Sequence, residues 1–429
     1  MSFRQPFIIS ALLAGCATAP VPAPVPPVAT PPPEAGEPER ATGVVLPGLE
    51  VLLRDSLHLV RGERAGLLTN QSAVTSAGES GIDLLHRHPG VELVALYGPE
   101  HGLRGGIEGG EKIEGGVDEA TGLPVHSLYG ETRRPTPEML AGIDVLLFDM
   151  QDVGARPYTF IWTMAMAMEA AAGAGIPFVV LDRPNPITAR VEGPLMEMEM
   201  RHVWQPITGY YPVPLRHGMT VGEIALYVNG EFGVGADLHV VPAAGWRGST
   251  WFDQTGLPWI DPSPNIRSLE AALTYAGLVL LEGTNLSVGR GTEAPFSYVG
   301  APWVDEARLA RRLAARRLPG VSFEPVTFTP AGAGWVPYRD ETVHGVKIGV
   351  TDRNRYQSVR TALVLMHEIR ALHPGDFEVT NDGFTQMIGS RWAREAFDRG
   401  VEPDELLRRW RAELEAWLPV RERYRLYPR

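Results

Sequence analysis

Polar side chains that could perform acid and base chemistry stand directly after four apolar segments of the sequence. The densest of these four groups lies within residues 149–158, where Gly154 and Pro157 interrupt regular backbone. Carboxyl, imidazole and guanidinium groups that converge on one hollow suit hydrolysis, because one group can donate a proton while another activates water or attacks. The candidates are Asn70, Glu100, His101, Asp149, Gln151, Asp152, Arg156, Tyr158, Asp182, Arg183 and Asn185.

The four apolar segments predict parallel β-strands, and the connections between them predict helices. The strands are expected at residues 64–69, 91–97, 145–148 and 177–181, and a buried helix at 161–174. Strands that alternate with helical segments form a parallel sheet with right-handed crossovers. Since the carboxyl ends of such strands lie on one edge of the sheet, the polar groups are predicted to meet in a single crevice.

The expected fold class is α/β, with a Rossmann-like parallel sheet in an N-terminal domain and a smaller α+β domain after it. The predicted catalytic domain spans residues 43–262, and an auxiliary domain that contributes to the cleft spans 263–429. In the second domain we expect a strand at 346–351 and helices at 358–371 and 404–417. The last helix carries apolar residues at helical spacing, which predicts core packing.

Arg216 and His217 are further site candidates, since they stand just before a predicted helix start. The helix start itself is predicted from Thr220 and Glu223, whose spacing is that of a capping box, so we interpret Glu223 as structural.

A second polar stretch, residues 262–303, is expected to form a buried helix and then a strand that ends at Glu282. The Gly-Arg-Gly-Thr loop that follows has two interpretations. It could bind an anion, or it could be a tight turn whose arginine pairs with Glu282 or Glu293. The site candidates in this stretch are Asn265, Glu282, Asn285 and Arg290.

Composition narrows the classes of function. The 429 residues are 44% hydrophobic, enough for two or three domains with well-formed cores, and the net charge of −12 argues against nucleic-acid binding. The glycine-rich residues 102–116 match no nucleotide-binding loop, so we expect no nucleotide cofactor and interpret them as a flap over the crevice or a disordered loop. The tryptophan-rich residues 246–261 could supply a sugar-stacking platform or core packing.

The first 16 residues are typical of a bacterial lipoprotein signal, with Arg4, an apolar run and then Leu-Ala-Gly before Cys16. Cys16 is the single cysteine of the sequence and is the predicted lipidation site. Ala17 after it favours the outer membrane, so we expect a periplasmic lipoprotein that touches the membrane only through its lipid. A short buried N-terminal helix is the alternative. The proline-rich residues 17–42 predict a semi-rigid linker.

Glycoside hydrolysis fits the candidate residues best. Glu100 is the expected proton donor, kept protonated by burial or by a neighbouring carboxylate such as Asp149 or Asp152, and the second catalytic group stays open among an aspartate, His101 and Tyr158. A metal site built from His101, Asp149, Asp152, His217 and Glu282 is the rival use of these groups. However, no metalloprotease spacing occurs in the sequence, and no serine-hydrolase elbow does either.

Several motifs, taken together and in order, resemble the exo-β-N-acetylmuramidase family, glycoside hydrolase family 171, formerly a domain of unknown function. The motifs are GLLTN at 66–70, PEHG at 99–102, DMQDVGAR at 149–156, DRPNP at 182–186, RHGMT at 216–220, SPN at 263–265, EGTN at 282–285 and GRGT at 289–292. The likeness runs from about residue 44 to the end of the sequence. One departure is His344-Gly345, where the family pattern leads us to expect a cysteine.

The resemblance implies a Rossmann-like N-terminal domain, a smaller C-terminal domain, and release of N-acetylmuramic acid from the non-reducing ends of peptidoglycan fragments. It implies that Glu100 is a principal catalytic candidate and adds the substrate's own acetamido group as a possible second catalytic group. The lactyl carboxylate of N-acetylmuramic acid calls for a fixed cation, because a guanidinium can bind it through two hydrogen bonds. The contenders are Arg156, Arg183, Arg216 and Arg290.

The sequence therefore predicts a periplasmic lipoprotein that hydrolyses the bond between terminal N-acetylmuramic acid and the next sugar without a cofactor. Two other classes of protein remain as alternatives. One is a non-catalytic lipoprotein that binds peptidoglycan, and the other is a metal-dependent amidase or esterase that acts on the wall peptides.

Overall fold

The structure, a computed structural model, describes residues 44–105 and 114–429. The predicted signal, the lipidation site Cys16, the linker at 17–42 and residues 106–113 of the glycine-rich loop lie outside the described residues. Within the two described ranges, no helix is long and apolar enough to cross a membrane.

One central sheet organises the N-terminal part of the described chain. Its strands lie in the spatial order β3-β4-β2-β1-β5-β6-β9, and all neighbours are parallel except β3 and β4; β7 and β8 form a separate antiparallel pair. The four predicted strands are confirmed as β1, β2, β5 and β6, with ends within one residue of those expected, and the α/β fold class is confirmed. The strands are β1 (Arg64–Thr69), β2 (Glu92–Gly98), β3 (Gly116–Val117), β4 (Pro124–Ser127), β5 (Val145–Asp149), β6 (Phe178–Leu181), β7 (Glu192–Leu195), β8 (Pro214–Arg216) and β9 (Leu238–Val241).

Helices cover both faces of this sheet. Successive strand residues point to opposite faces, so Leu67 and Leu147 pack in a core with α1 and α2, whereas Leu68 and Phe148 pack in a larger core with α4 and α5. The carboxyl ends of β2, β1, β5 and β6 are therefore neighbours on one edge, as predicted. The helices are α1 (Gly48–Asp55), α2 (Gly81–Arg87), α3 (Pro137–Leu140), α4 (Phe160–Ala174) and α5 (Val221–Phe232).

The C-terminal part adds a three-stranded antiparallel sheet in the order β10-β12-β11 and six helices. The larger core continues from the central sheet into these helices, and the predicted helices near 358–371 and 404–417 are confirmed as α8 and α11. The elements are α6 (Leu269–Leu278), β10 (Tyr298–Ala301), α7 (Glu306–Ala315), β11 (Val321–Phe328), β12 (Val343–Val350), α8 (Ser358–Leu372), α9 (Gly383–Ile388), α10 (Arg391–Asp398) and α11 (Pro403–Glu422).

The prediction of a strand before Glu282 is wrong, because Val279–Gly283 forms a 3₁₀ helix directly after α6. A short, fully apolar run reads the same whether it is a buried strand or a buried helical turn. Packing decides the outcome here. A Cβ on Gly277 would lie 2.0 Å from the carbonyl oxygen of Ser358, and one on Gly283 would lie 2.5 Å from the Cβ of Phe384, so the segment packs closely against α8 and α9.

The predicted capping box at the start of α5 is confirmed. The Thr220 hydroxyl accepts a hydrogen bond from the Glu223 amide, and the Glu223 carboxylate accepts one from the Thr220 amide at 3.1 Å. The other carboxylate oxygen of Glu223 accepts a hydrogen bond from the Leu426 amide at 2.9 Å. Burial is the main cause that raises the pKa of Glu223 to about 7. Glu223 is therefore structural, as predicted.

Arg156 fastens the loop after β5 to the rest of the molecule. Its side chain is fully buried and donates hydrogen bonds to the carbonyl oxygens of Pro194 at 2.9 Å, Val213 at 2.8 Å and Met387. These carbonyls belong to three separate segments, the last of them in α9. Burial lowers the pKa of Arg156 to about 9.

We expect Arg156→Met to destabilise the fold by about 3 kcal/mol or more, because three buried carbonyl oxygens lose their donor. Urea unfolding followed by fluorescence measures the change. Arg399→Met is the control, since Arg399 pairs with Glu395 at 4.0 Å on an exposed helix surface and should change stability by less than about 0.5 kcal/mol. Equal stability of the two variants would contradict the assigned role.

Candidate active site

A cavity of about 370 Å³ opens beside the carboxyl end of β2 and the start of α4. This volume is in the range of sites that hold small molecules. The lining comes from the loops after β2 and β5, from residues 204–208, from the region around α6, and from the segments that carry Trp335 and α9. Its polar and aromatic members include Glu100, His101, Tyr129, Tyr158, Thr159, Trp204, Gln205, Thr208, Ser263, Tyr275, Glu282, Arg290, Phe296, Trp335 and Asn381.

Glu100 lies in the wall of this cavity, two residues after β2 ends. Its side chain is mostly buried, with 9% of its surface exposed, and its Oε2 accepts a hydrogen bond from the Thr159 hydroxyl at 2.9 Å. Thr159 immediately precedes α4, so the end of one strand and the start of one helix fix the carboxyl group together. The structure therefore places the predicted proton donor in a cavity and holds it at one oxygen.

His101 also lines the cavity, and its backbone adopts a left-handed conformation with φ of 70°. Residues other than glycine seldom occupy this region, and such backbone strain concentrates at functional sites. The imidazole ring meets the ring of Phe160 edge to face, with centroids 6.4 Å apart. The turn thus directs Glu100 and His101 into the same hollow.

Two buried tyrosines, Tyr158 and Tyr275, form an aromatic part of the cavity wall. Their ring centroids are 5.9 Å apart in an edge-to-face arrangement. Burial raises the pKa of both phenols well above the ordinary value, although a hydrogen bond with Ser263 partly opposes this for Tyr158. Both side chains are therefore neutral hydroxyls at physiological pH, which suits them to donate hydrogen bonds and not to act as phenolate bases.

Glu282 and Arg290 form an ion pair in the cavity lining. The Nε of Arg290 donates to Oε1 of Glu282 at 2.5 Å, which agrees with the tight-turn interpretation of this loop. Glu293 instead accepts a hydrogen bond from the Tyr298 hydroxyl at 2.7 Å. Burial alone would lower the pKa of Arg290, but the charge and hydrogen bond of Glu282 raise it overall, so the guanidinium stays charged.

Five of the predicted site residues line the cavity: Glu100, His101, Tyr158, Glu282 and Arg290. Asn265 borders a groove that adjoins the cavity. The remaining predicted residues lie outside the cavity lining, and most of them form hydrogen bonds that hold the loops in place.

Asp149 and Arg183, predicted as catalytic and substrate-binding residues, form a buried ion pair between β5 and β6. The guanidinium contacts both carboxylate oxygens, at 2.5 and 3.0 Å. Burial raises the pKa of Asp149, and the charge and hydrogen bonds of Arg183 oppose this. Both oxygens of the Asp149 carboxylate are therefore engaged by Arg183, and Asp149 does not line the cavity.

Asp152 and His217 form a second buried pair behind Tyr158. The Nε2 of His217 lies 3.1 Å from Oδ2 of Asp152, and its Nδ1 accepts a hydrogen bond from the Met219 amide. Because Nδ1 is an acceptor, the hydrogen of the ring lies on Nε2, and this N–H group donates a hydrogen bond to Asp152. This pair orients the loop between β5 and α4 and does not line the cavity.

Two predicted substrate-binding residues in the β6 and β8 regions are engaged by buried protein groups. The Asp182 carboxylate accepts hydrogen bonds from the hydroxyls of Thr220 at 2.7 Å and Tyr427 at 2.6 Å, and burial raises its pKa. The guanidinium of Arg216 pairs with Glu192 at 2.5 Å. Both side chains are fully buried and lie outside the cavity lining.

Amide side chains among the predicted residues tie neighbouring backbone together. The Asn70 side chain accepts a hydrogen bond from the Ser72 amide, and Gln151 donates to the Pro184 carbonyl. The side chain of Asn185 donates to the Met219 carbonyl, and that of Asn285 donates to the Asp376 carbonyl. Arg156, described above, has the same kind of role. In all of these cases the polar side chain forms hydrogen bonds with protein backbone.

The metal site that is the rival use of these groups is not formed by the described residues. Within residues 44–105 and 114–429, no group of three or more His, Cys, Asp or Glu side chains could hold a metal ion. Asp152 and His217 pair with each other, and Glu282 pairs with Arg290.

Sequence reasoning missed two tryptophans of the cavity rim. Trp204 and Trp335 are 45% and 50% exposed, whereas Trp246 and Trp251 of the expected stacking segment are buried in the core. Both rim residues lie in irregular segments without helical or strand periodicity. The sequence feature that could have indicated their exposure is that each is a single tryptophan near polar residues or glycines.

Two family models match consecutive parts of the chain. The model described as exo-β-N-acetylmuramidase NamZ, N-terminal, matches residues 65–270. The model described as exo-β-N-acetylmuramidase NamZ, C-terminal, matches residues 273–427. Together they span most of the described chain and include every residue that lines the cavity.

Proteins similar to this chain include one from Bacillus subtilis and two from Bacteroides fragilis. A Bacillus subtilis (strain 168) protein named peptidoglycan β-N-acetylmuramidase NamZ is 42% identical over 382 residues, which cover 89% of this chain and 91% of that protein. A crystal structure of a DUF1343 family protein from Bacteroides fragilis is similar with a TM-score of 0.82 and 37% identity, covering 89% of this chain and 99% of the other. A second protein of that family and organism gives a TM-score of 0.72 and 29% identity, covering 90% and 99%.

Proposed function

The chain belongs to the exo-β-N-acetylmuramidase family, and we propose that it is an exo-acting glycosidase that releases N-acetylmuramic acid from the non-reducing ends of peptidoglycan fragments. The observation that carries the mechanism is the position of Glu100, which lies in the cavity wall and is held by Thr159 at one oxygen. The name of the Bacillus subtilis relative supports this reading over a non-catalytic binding protein.

Hydrolysis in this cavity requires a proton for the leaving oxygen and an oxygen for the anomeric carbon. Glu100 donates the proton as the bond between the anomeric carbon and the glycosidic oxygen breaks, and water supplies the new hydroxyl group. Among the described residues that line the cavity, the second carboxylate is Glu282. Glu282 accepts a hydrogen bond from the Nε of Arg290, and this second carboxyl group of the lining is our candidate for the group that attacks or activates water.

We expect Glu100→Gln to lower kcat on the disaccharide of N-acetylmuramic acid linked to N-acetylglucosamine, whose leaving oxygen needs a proton, by at least about 100-fold, the lower end of what general acid catalysis contributes. The thermal unfolding midpoint should stay nearly unchanged, because the amide can still accept the Thr159 hydrogen bond. Glu324→Gln, an exposed change on β11, is the matched control and should leave both quantities unaltered. A Glu100→Gln variant with full activity would remove Glu100 from the mechanism.

Arg290 is our candidate for the group that recognises the lactyl carboxylate of the substrate. Of the four arginine contenders, Arg290 is the one that lines the cavity, whereas the other three are engaged by buried carbonyls or carboxylates. Its Nε is bonded to Glu282, and the two terminal nitrogens of a guanidinium can grip a carboxylate through parallel hydrogen bonds.

We expect Arg290→Met to lower kcat/KM on a chromogenic N-acetylmuramide by about 10-fold or more relative to its lactyl methyl ester, because a charged hydrogen bond is lost only with the free acid. Loss of the partner of Glu282 affects both compounds alike, so the ratio of the two rates isolates carboxylate recognition. An unchanged ratio would assign Arg290 to the support of Glu282 alone.

The location of the enzyme is proposed from its first residues. Leu-Ala-Gly-Cys at 13–16 supports cleavage before Cys16 and lipidation of its sulfur, and Ala17 supports the outer membrane. A lipid anchor and a proline-rich linker would hold the enzyme on a periplasmic surface, where peptidoglycan fragments occur.

We expect Cys16→Ser to move the protein from the membrane fraction to the soluble fraction of a Gram-negative host, because no acyl chain can then be attached. Immunoblots of fractionated cells measure the distribution. Ser10→Ala, a change in the same segment, is the control, and this variant should stay in the membrane fraction. Unaltered membrane association of Cys16→Ser would contradict the anchor.

A further inference from the structure

The catalytic cavity continues into a second hollow on the side of Arg290. This groove has a volume of about 320 Å³ and shares two lining residues, Arg290 and Trp335, with the cavity. The rest of its lining includes Arg267, Thr292 and Glu293 together with the backbone of residues 331–333. A ligand that extends from the cavity into the groove must therefore pass over Trp335.

Trp335 has the features of a platform for a sugar ring. Half of its surface is exposed, although most large apolar side chains of the described chain are buried. Its segment is fixed, since the Ala331 amide donates to the Gly291 carbonyl at 2.8 Å, and a Cβ on Gly291 would lie 2.4 Å from the Ala331 oxygen. The guanidinium of Arg290 lies over the indole, 5.8 Å from the ring centroid. The exposed half of the indole offers apolar surface to a ligand at low entropic cost.

We infer that this groove is the subsite for the leaving sugar, and that Trp335 is the surface on which the N-acetylglucosamine next to the scissile bond packs. The inference rests on the proposed function, because it assumes that the terminal sugar occupies the cavity. An exo-acting enzyme must leave the remaining chain an exit, and the groove extends the cavity beyond Trp335.

The charge of the groove matches a neutral ligand. Arg267 and Glu293 offset each other, and Arg290 is already balanced by Glu282. A phosphate or an acidic peptide would meet little net positive charge there. Hydroxyl and acetamido groups, in contrast, find both donors and acceptors on side chains such as Thr292 and Arg267.

The test compares two substrates that differ in the leaving group alone. The first is the disaccharide of N-acetylmuramic acid linked to N-acetylglucosamine, and the second is β-N-acetylmuramyl fluoride, whose leaving group is one atom. We expect Trp335→Ala to lower kcat/KM on the disaccharide by about 10-fold, the loss of one aromatic packing surface. The loss on the fluoride should be clearly smaller, because Trp335 only borders the cavity that holds the terminal sugar. Trp335→Phe should restore most of the activity.

Trp204→Ala is the matched control. Trp204 is exposed to a similar extent but lines the cavity and not the groove, so its loss should affect both substrates by the same factor. Equal losses on the two substrates in Trp335→Ala, or no loss on either, would overturn the inference. Failure of the unmodified enzyme to cleave the disaccharide would instead overturn the proposed function.

A binding measurement separates recognition from catalysis. In the Glu100→Gln background, Trp335→Ala should weaken binding of the disaccharide, measured by calorimetry, by a larger factor than binding of free N-acetylmuramic acid. A change confined to the monosaccharide would place Trp335 against the terminal sugar and would also overturn the inference.

Discussion

The buried guanidinium of Arg156 is the interaction on which the site depends. It binds carbonyl oxygens of three segments that are far apart in sequence, and one of these, Met387, belongs to the C-terminal part. Tyr158 and Thr159 follow two and three residues later, and they form the wall that holds Glu100. A charge that is buried without a carboxylate partner is costly, so the carbonyls must be in place around it. The same contact that joins the two parts of the chain thereby sets the cavity wall.

Beneath the cavity lies a layer of polar side chains that serves the loops. Asp149 and Arg183 pair at the ends of β5 and β6, and Asp152 pairs with His217 in the loop after β5, whereas Arg216 and Glu192 pair across β7 and β8. Irregular loops carry backbone groups that need partners when they are buried, and these side chains supply many of them. The polar residues that mark a site in the sequence therefore divide into a few that face the cavity and many that hold its walls.

This division explains which parts of the fold and of the cavity could be predicted from the sequence and which could not. The strand ends and the positions of Glu100 and His101 could be predicted, because short continuous apolar runs indicate the strands and a parallel sheet places their ends on one edge. The roles of Arg156, Arg183 and Asp182 could not, since a residue at a strand end carries the same signal whether it faces inward or outward. Trp204, Trp335 and Asn381 come from segments without periodicity, and only packing of the C-terminal part against the sheet brings them to the cavity. The 3₁₀ turn at Val279–Gly283 was missed because a short apolar run is ambiguous.

The carboxyl group of Glu223 has a consequence for how the protein responds to its surroundings. Its pKa rises from the ordinary carboxyl value of 4.5 to about 7 because the side chain is buried. Folding therefore takes up a proton between these two values. The stability that the protonated Glu223 side chain contributes to the folded state is fully present at a pH below 4.5. It is lost as the pH rises through about 7. Titration of this one group couples the folding equilibrium to the acidity of the compartment, although it lies outside the catalytic cavity.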